Sequence, residues 1–211
     1  LITFLCSWYF FSKNEPESKF VAYQTINVPP GQRINIELPD GTNVWLNAKT
    51  TLKYPVSFNS QERVIELDGQ AYFDVVKNEH APFIVKSANG QVRALGTKFD
   101  VMDYSDNEVF ETMLMEGSVK VDLNNTSQSL ILTPNNKAFL RNGNLESIEV
   151  YDLSSYLWKD GLISFRNETF ENIMKLFERT YDINIVIEKE NLKNLSFTGK
   201  FRMTDGVEYA L

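Results

Sequence analysis

The stretch RVIELDGQAYFDV, residues 63–75, decides the fold of this chain. Apolar and polar residues alternate on both sides of Asp68 and Gly69, and an Asp-Gly pair is typical of a tight turn between strands. The pattern therefore predicts two short strands, 63–67 and 71–75, that are joined by a turn and send alternate side chains into one core.

The same kind of pattern extends over residues 25–150. Short alternating runs are separated by turn residues, for example Asp40-Gly41, Asn89-Gly90 and Glu116-Gly117. Many short strands at this spacing predict an all-β sandwich, barrel or roll. The residues expected to lie in its core are Val44, Leu46, Val64, Leu67, Phe73, Val75, Phe99, Val101, Val119 and Val121.

The pattern changes after residue 150, and residues 151–211 are expected to form a small α+β domain. Strands are predicted at 162–165, 183–187 and 195–201, with a helix between the first two that is capped by Asn167. The apolar positions of this helix lie three and four residues apart, as on one face of a helix. They are Phe170, Ile173, Met174, Phe177 and Tyr181. The predicted fold class is therefore mainly β, with an all-β sandwich or roll followed by a small βαβ domain.

The first residues, LITFLCSWYFF, carry no charge. A helix of this length spans only about 16 Å, whereas a membrane crossing takes about 20 apolar residues. We expect residues 1–11 to be the remnant of a transmembrane anchor and residues 12–24 to be a polar connector. A signal-peptide remnant and a first core element of the domain are the alternatives. At the other end, residues 204–208 resemble the opening of a helix, and this end is expected to be truncated.

Composition excludes several kinds of protein. The 211 residues contain 21 Lys plus Arg and 28 Asp plus Glu, a net charge of −7. This acidity, without a basic cluster, argues against a nucleic-acid-binding surface, because attraction to phosphates supplies most of that affinity. Cys6 is the single cysteine and His80 the single histidine. A disulfide framework, a thiolate zinc site and most histidine-based catalysis are therefore excluded.

The sequence contains no phosphate-binding loop, dinucleotide fingerprint or nucleophile elbow. His80 lies in the loop-like run 77–82 and is interpreted as a solvated side chain. The acidic run 103–108 lacks the central glycine and the closing glutamate of a calcium-binding loop, so a solvated turn is favoured there. We therefore predict no catalytic residue, no metal site and no cofactor.

Several motifs in one order resemble a known family. The stretch LPDGTNVWLNA, residues 38–48, is similar to the L-P-D-G-S/T-x-V-W-L-N-A signature of FecR-like anti-sigma factors. Residues 63–75, 82–85, 95–101 and 114–119 resemble the blocks that follow in that family. The tail from Trp158 onward is similar to the additional C-terminal domain of the Bacteroidetes members. Gln70 stands where glutamate is common, and no chemistry is attached to that position.

The resemblance implies a periplasmic sensor and relay rather than an enzyme. It implies a single-pass protein of the inner membrane with both domains in the periplasm. A cytoplasmic N-terminal part would hold an extracytoplasmic-function sigma factor, and the periplasmic part would contact the signalling domain of an outer-membrane TonB-dependent transducer. A carbohydrate-binding or structural β domain is one alternative, and an enzyme such as a glycan hydrolase is another.

Partner binding is predicted on the C-terminal domain. Three strands and one helix leave a sheet edge open, and an open edge is a template for pairing with another chain. We therefore expect the signalling domain of the transducer to dock there by strand addition. The predicted contact residues are Leu195, Phe197, Thr198, Lys200 and Phe201. The alternative is that further residues of this chain cover the edge.

Overall fold

The computed structural model describes residues 21–59, 61–106 and 109–210. Within these ranges, strands β1 to β13 lie between residues 23 and 149. They are β1 Tyr23–Asn27, β2 Ile34–Glu37, β3 Asn43–Leu46, β4 Thr51–Pro55, β5 Arg63–Asp74, β6 Phe83–Lys86, β7 Gly90–Ala94, β8 Lys98–Asp103, β9 Phe110–Glu116, β10 Val119–Leu123, β11 Ser129–Leu132, β12 Asn136–Arg141 and β13 Asn144–Glu149. We call this part of the chain the β unit.

The stretch 63–75 forms one strand, not two. β5 runs unbroken for 12 residues, so the turn predicted at Asp68-Gly69 is wrong. Gly69 instead has a φ of 129° within the strand, and a Cβ there would lie 2.5 Å from Thr50 Oγ1 and 2.7 Å from Thr50 Cα. Glycine is required because it alone allows this backbone conformation and this close approach.

β5 is shared between two sheets. Its first half pairs with β4 and, in parallel, with β6, while its second half pairs with β3 and β8. The first sheet has the order β1-β4-β5-β6-β7-β10-β11, and the second has the order β2-β3-β5-β8-β9-β12-β13. The predicted all-β sandwich or roll is confirmed.

The core lies between the two sheets. Nine of the ten predicted core residues are buried, with Phe73 and Phe99 stacked at a ring-centroid distance of 5.1 Å. Val64 is the exception, because it is only half-buried while Ile65 is fully buried. The register prediction was wrong there, since the inward-facing set of β5 begins with a charged residue, Arg63.

Arg63 is buried because its charge is paired. Its Nη1 lies 2.6 Å from Asp40 Oδ2, and its Nε donates to the Ala81 carbonyl at 2.9 Å. Asp40 also accepts a hydrogen bond from the Thr42 N–H at 3.1 Å. The Asp-Gly-Thr turn of the 38–48 stretch is therefore held against the start of β5 by an ion pair.

The C-terminal unit, residues 151–210, contains β14 Leu162–Thr169, α1 Phe170–Tyr181, β15 Ser196–Arg202 and α2 Val207–Ala210. β14 and β15 pair antiparallel, with a bulge between Phe165 and Glu168. Short 3-10 turns at Leu153–Tyr156 and Trp158–Asp160 connect the two units. The predicted order of an all-β part followed by a small α+β part is confirmed.

Two details of the C-terminal unit differ from the prediction. Thr169 caps α1 by accepting a hydrogen bond from the Asn172 N–H, whereas Asn167 has a φ of 51° within the bulge of β14. Residues 183–187 alternate between half-buried and exposed, as in an extended chain, but they are not paired in a ladder within the described ranges. The alternation was predicted correctly, and the pairing was not.

No helix in the described ranges is long and apolar enough to cross a membrane. The anchor remnant predicted at residues 1–11 and most of the predicted connector lie outside those ranges. β1 begins at Tyr23 and pairs with β4.

We expect Phe73→Asp or Phe99→Asp to lower the free energy of unfolding by at least about 3 kcal/mol, because each places an unpaired charge in a fully apolar site. Urea denaturation followed by circular dichroism measures this. The control is Ile131→Asp, since Ile131 is 71% exposed on β11. Equal effects of the core and surface substitutions would contradict the assigned core.

Candidate partner-binding site

Four of the five predicted contact residues are exposed, and three of them lie at the start of β15. Leu195 is 49% exposed and Phe197 is 45% exposed, which is unusual for large apolar side chains. Thr198 is exposed as well, and the Phe197 ring lies 5.8 Å from that of Phe170. Leu195 and Phe197 are therefore exposed apolar side chains at the start of β15.

The other two predicted residues lie further along β15. Phe201 is buried in the core of the C-terminal unit, with its ring 5.5 Å from the ring of Phe177. Lys200 Nζ donates a hydrogen bond to Ser154 Oγ at 3.1 Å, so it points toward the connecting turn. Phe197 and Phe201 lie four residues apart and therefore share one face of β15, which is exposed at Phe197 and buried in the core at Phe201.

The segment 183–188 was not among the predicted contact residues, although its residues alternate between half-buried and exposed and it has no ladder partner within the described ranges. The Ile185 N–H donates to Glu178 Oε1 at 2.8 Å, on the side of α1. In an extended chain, the backbone groups of the next residues along point the opposite way. Alternating burial is the pattern of an extended chain, and we infer from it that Asn184, Val186 and Glu188 turn their N–H and carbonyl groups away from α1. We call these three residues the free edge.

The side chains of the same segment also alternate. Ile185 and Ile187 pack against the core of the C-terminal unit, while Val186 is 75% exposed. The sequence signal for this edge was the run of β-branched residues at 183–187, which predicts a strand but not whether it has a partner.

The junction between the units lies on the outer face of the second sheet. A row of side chains crosses this face from Trp45 through Tyr72 and Asp100 to Met113. The 3-10 turn at 158–160 covers the row, and Trp158 is only 4% exposed. The outer face of the sheet is therefore a second buried layer.

Asp100 is the polar centre of the junction. Trp158 Nε1 donates to its Oδ2 at 2.7 Å, and Gln70 Nε2 donates to its Oδ1 at 2.9 Å. Gln70 Oε1 in turn accepts from Asn47 Nδ2 at 2.8 Å, and Asn47 Oδ1 accepts from the Ala48 N–H at 2.9 Å. In this series of hydrogen bonds, every donor points toward Asp100.

The pKa of Asp100 is raised from 3.8 to about 7: burial is the largest cause, the hydrogen bonds from Gln70 and Trp158 oppose it, and the nearby Glu111 adds a smaller rise. The loss of solvation is the largest of these effects, because no positive charge compensates for it. Burial likewise raises the pKa of Tyr156, whose hydroxyl donates to Glu111 Oε1 at 2.5 Å.

Two more contacts hold the units together. Arg33 Nη1 donates to the Trp158 carbonyl, and the Gly31 N–H donates to the Arg179 carbonyl at 2.8 Å. The Arg179 guanidinium also lies 4.4 Å from the centre of the Tyr104 ring. The C-terminal unit is therefore attached at both the connecting turn and the end of α1.

A cleft of about 580 Å³ lies between the units. Four of the charged side chains that line it form ion pairs, since Lys137 Nζ lies 2.6 Å from Glu111 Oε2 and Arg166 Nη2 lies 3.0 Å from Asp152 Oδ2. Within the described ranges, no cluster of three or more histidine, cysteine or acidic side chains could hold a metal ion. His80 is exposed in a loop away from this cleft.

Comparison with known families agrees with this two-unit arrangement. The model of the family described as "FecR protein" matches residues 24–120, and the model described as "FecR, C-terminal" matches residues 162–211. The chain belongs to the FecR family of anti-sigma factors. This is a family of regulatory proteins.

Two solved structures show the same fold. Both are crystal structures of a "putative anti-sigma factor" from Parabacteroides distasonis ATCC 8503, at 2.50 Å and 1.65 Å resolution. The first aligns with a TM-score of 0.84 at 29% identity over 90% of this chain and 89% of that one. The second aligns with a TM-score of 0.83 at 29% identity, over 89% and 88%. No curated protein matches the chain.

We expect Trp158→Phe to lower the free energy of unfolding by about 1–3 kcal/mol, because phenylalanine keeps a ring at the junction but leaves Asp100 with one donor instead of two. The measurement is urea denaturation at pH 8. Trp45→Phe is the matched control, since Trp45 lies on the same face and contacts Tyr72 edge-to-face. A loss no larger than that of the control would mean that the Trp158–Asp100 hydrogen bond contributes nothing.

Proposed function

We propose that this chain is the sensor and relay part of a single-pass inner-membrane anti-sigma factor, with both described units in the periplasm. It receives a signal from an outer-membrane TonB-dependent transducer and controls an extracytoplasmic-function sigma factor. In this proposal the sigma factor binds a cytoplasmic N-terminal segment, and residues 1–11 belong to the membrane anchor.

The observation that carries the proposal is the segment 183–188, in which Asn184, Val186 and Glu188 are exposed and no ladder partner is present within the described ranges. It lies in the unit that matches the FecR C-terminal model. An extended segment whose side chains on one side are already packed has little conformational freedom left to lose when another strand pairs with it. Strand addition by the signalling domain of the transducer is the binding mode that fits such an edge.

The exposed apolar residues Leu195 and Phe197 supply a second contact for the same partner. Both are about half exposed in the C-terminal unit, and contacts of this kind contribute affinity beside the directional backbone hydrogen bonds of an added strand. The β unit acts as the rigid body to which this receiving unit is attached.

A carbohydrate-binding domain would present a line of exposed aromatic rings. The exposed aromatic residues in the described ranges lie on separate parts of the chain, namely Tyr23, Tyr151, Phe197 and Tyr209. This distribution favours a protein partner over a glycan.

The test is the affinity of the full chain for the purified signalling domain of a TonB-dependent transducer from the same organism, measured by calorimetry. We expect Val186→Pro to weaken binding at least tenfold, because proline removes an outward-facing N–H from the free edge. Val186→Thr is the matched control, since it keeps the N–H and the β-branched shape.

Equal affinity of Val186→Pro, Val186→Thr and the unmodified chain would rule out strand addition at this edge. Binding that is lost only in Leu195→Ser or Phe197→Ser would place the partner on β15, as the sequence predicted. An absence of binding by the unmodified chain would contradict the proposed partner.

A further inference from the structure

The Asp100 carboxylate is buried without a counter-ion. The titratable groups whose charges act on it are Glu111 of β9, Tyr72 of β5, Tyr104 after β8 and Tyr156 of the first 3-10 turn. All four are neutral or negative. The nearby cations are bonded to other groups, since Lys137 Nζ lies 2.6 Å from Glu111 Oε2 and Arg33 Nη1 donates to the Trp158 carbonyl. Lys159 lies beside Trp158 in the chain, but its Nζ is bonded to Asp160 Oδ1 at 3.0 Å and lies over the Tyr72 ring.

Two effects on this carboxylate oppose each other. Both of its partners, Gln70 Nε2 and Trp158 Nε1, are donors, so a proton on Asp100 displaces one hydrogen bond, which is worth about 1 kcal/mol. Rotating the Gln70 amide would let Gln70 accept the proton of Asp100, but its NH2 group would then face the NH2 group of Asn47. Asn47 cannot rotate in turn, because its Oδ1 accepts from the Ala48 N–H. Burial of an uncompensated charge costs several kcal/mol. The cost of burying the charge is therefore larger than the cost of losing one hydrogen bond, and the closed junction favours the neutral form of Asp100.

We propose that Trp158 and Asp100 form a proton-linked latch: seating of the 158–160 turn on the second sheet takes up one proton at Asp100, so that acidification strengthens the attachment between the two units and neutral or alkaline pH weakens it.

The sign follows from linkage. When Trp158 leaves, Asp100 gains access to water, and its pKa falls from about 7 toward the ordinary value near 4. The closed state then binds the proton more tightly than the open state. The closing equilibrium is independent of pH above 7 and rises about tenfold per pH unit below it, until the open state also takes up the proton.

The test follows hydrogen exchange of the Trp158 indole N–H by NMR between pH 5 and 8, on the full chain. Trp158→Phe assigns the resonance, and N-acetyl-tryptophanamide supplies the intrinsic exchange rate at each pH. We expect the protection factor to rise at least tenfold from pH 8 to pH 5.5.

Two variants identify the titrating group. Asp100→Asn removes the charge permanently, so its protection factor should not change with pH. Gln70→Glu places a second carboxylate 2.9 Å from Asp100 Oδ1, and the two then share a proton, so the rise should move to higher pH. Glu66→Gln is the control, because Glu66 is exposed on the first sheet and pairs with Lys53.

Protection of the unmodified chain that is constant, or that falls on acidification, would overturn the latch. So would an Asp100→Asn variant that keeps the pH dependence of the unmodified chain. If Asp100→Asn does not fold, the pH dependence of the protection factor in Gln70→Glu is the deciding measurement. A Gln70→Glu profile at the same pH as that of the unmodified chain would contradict the proposal. None of these outcomes depends on the identity of the transducer.

Discussion

Gly69 lies where β5 leaves one sheet and enters the other, and the close contact with Thr50 leaves no room for a side chain. β5 pairs directly with four strands, two in each sheet. The remaining strands of the β unit are attached through those four. Because one strand serves both sheets, the sheets cannot slide past each other without breaking its ladders. The crossing of β5 from one sheet to the other at Gly69 therefore fixes the geometry of the core between the two sheets.

The fixed second sheet determines how the C-terminal unit is attached. Strand alternation sends Phe73, Phe99 and Val101 into the core, and it sends Tyr72 and Asp100 to the opposite face. In a sheet with one covered face, that second set would be solvated. Here the Trp158 turn covers it, and a carboxylate that the alternation would place in water becomes a buried group with two hydrogen-bond donors.

The strands of the β unit could be predicted because their side chains alternate and glycine marks their turns. The same rule failed at Asp68-Gly69, since a glycine that permits a turn also permits a close backbone crossing, and only the approach of Thr50 distinguishes them. The register at the start of β5 was predicted wrongly because the ion-pair partner that allows Arg63 to be buried, Asp40, is distant in sequence.

The junction could not be predicted. Asp100 lies on an alternating strand and has the sequence pattern of a solvated residue, and it is buried only because the turn 58 residues later covers it. Of the candidate contact residues, the sequence correctly placed the exposed apolar start of β15, and it missed that Phe201 faces inward.

The last turn of α1 connects the free edge to the junction. Glu178 accepts the hydrogen bond that holds Ile185 in place, and the next residue, Arg179, contacts the β unit through its carbonyl and its guanidinium. A strand that pairs with Asn184, Val186 and Glu188 would therefore act within one helical turn of a contact between the units. In the proposed latch, the second attachment, at Trp158, depends on the charge of Asp100. The proposed relay would then be held at one point beside its partner-binding edge and at another by a titratable contact, which gives it two separate ways to change how firmly the C-terminal unit is attached.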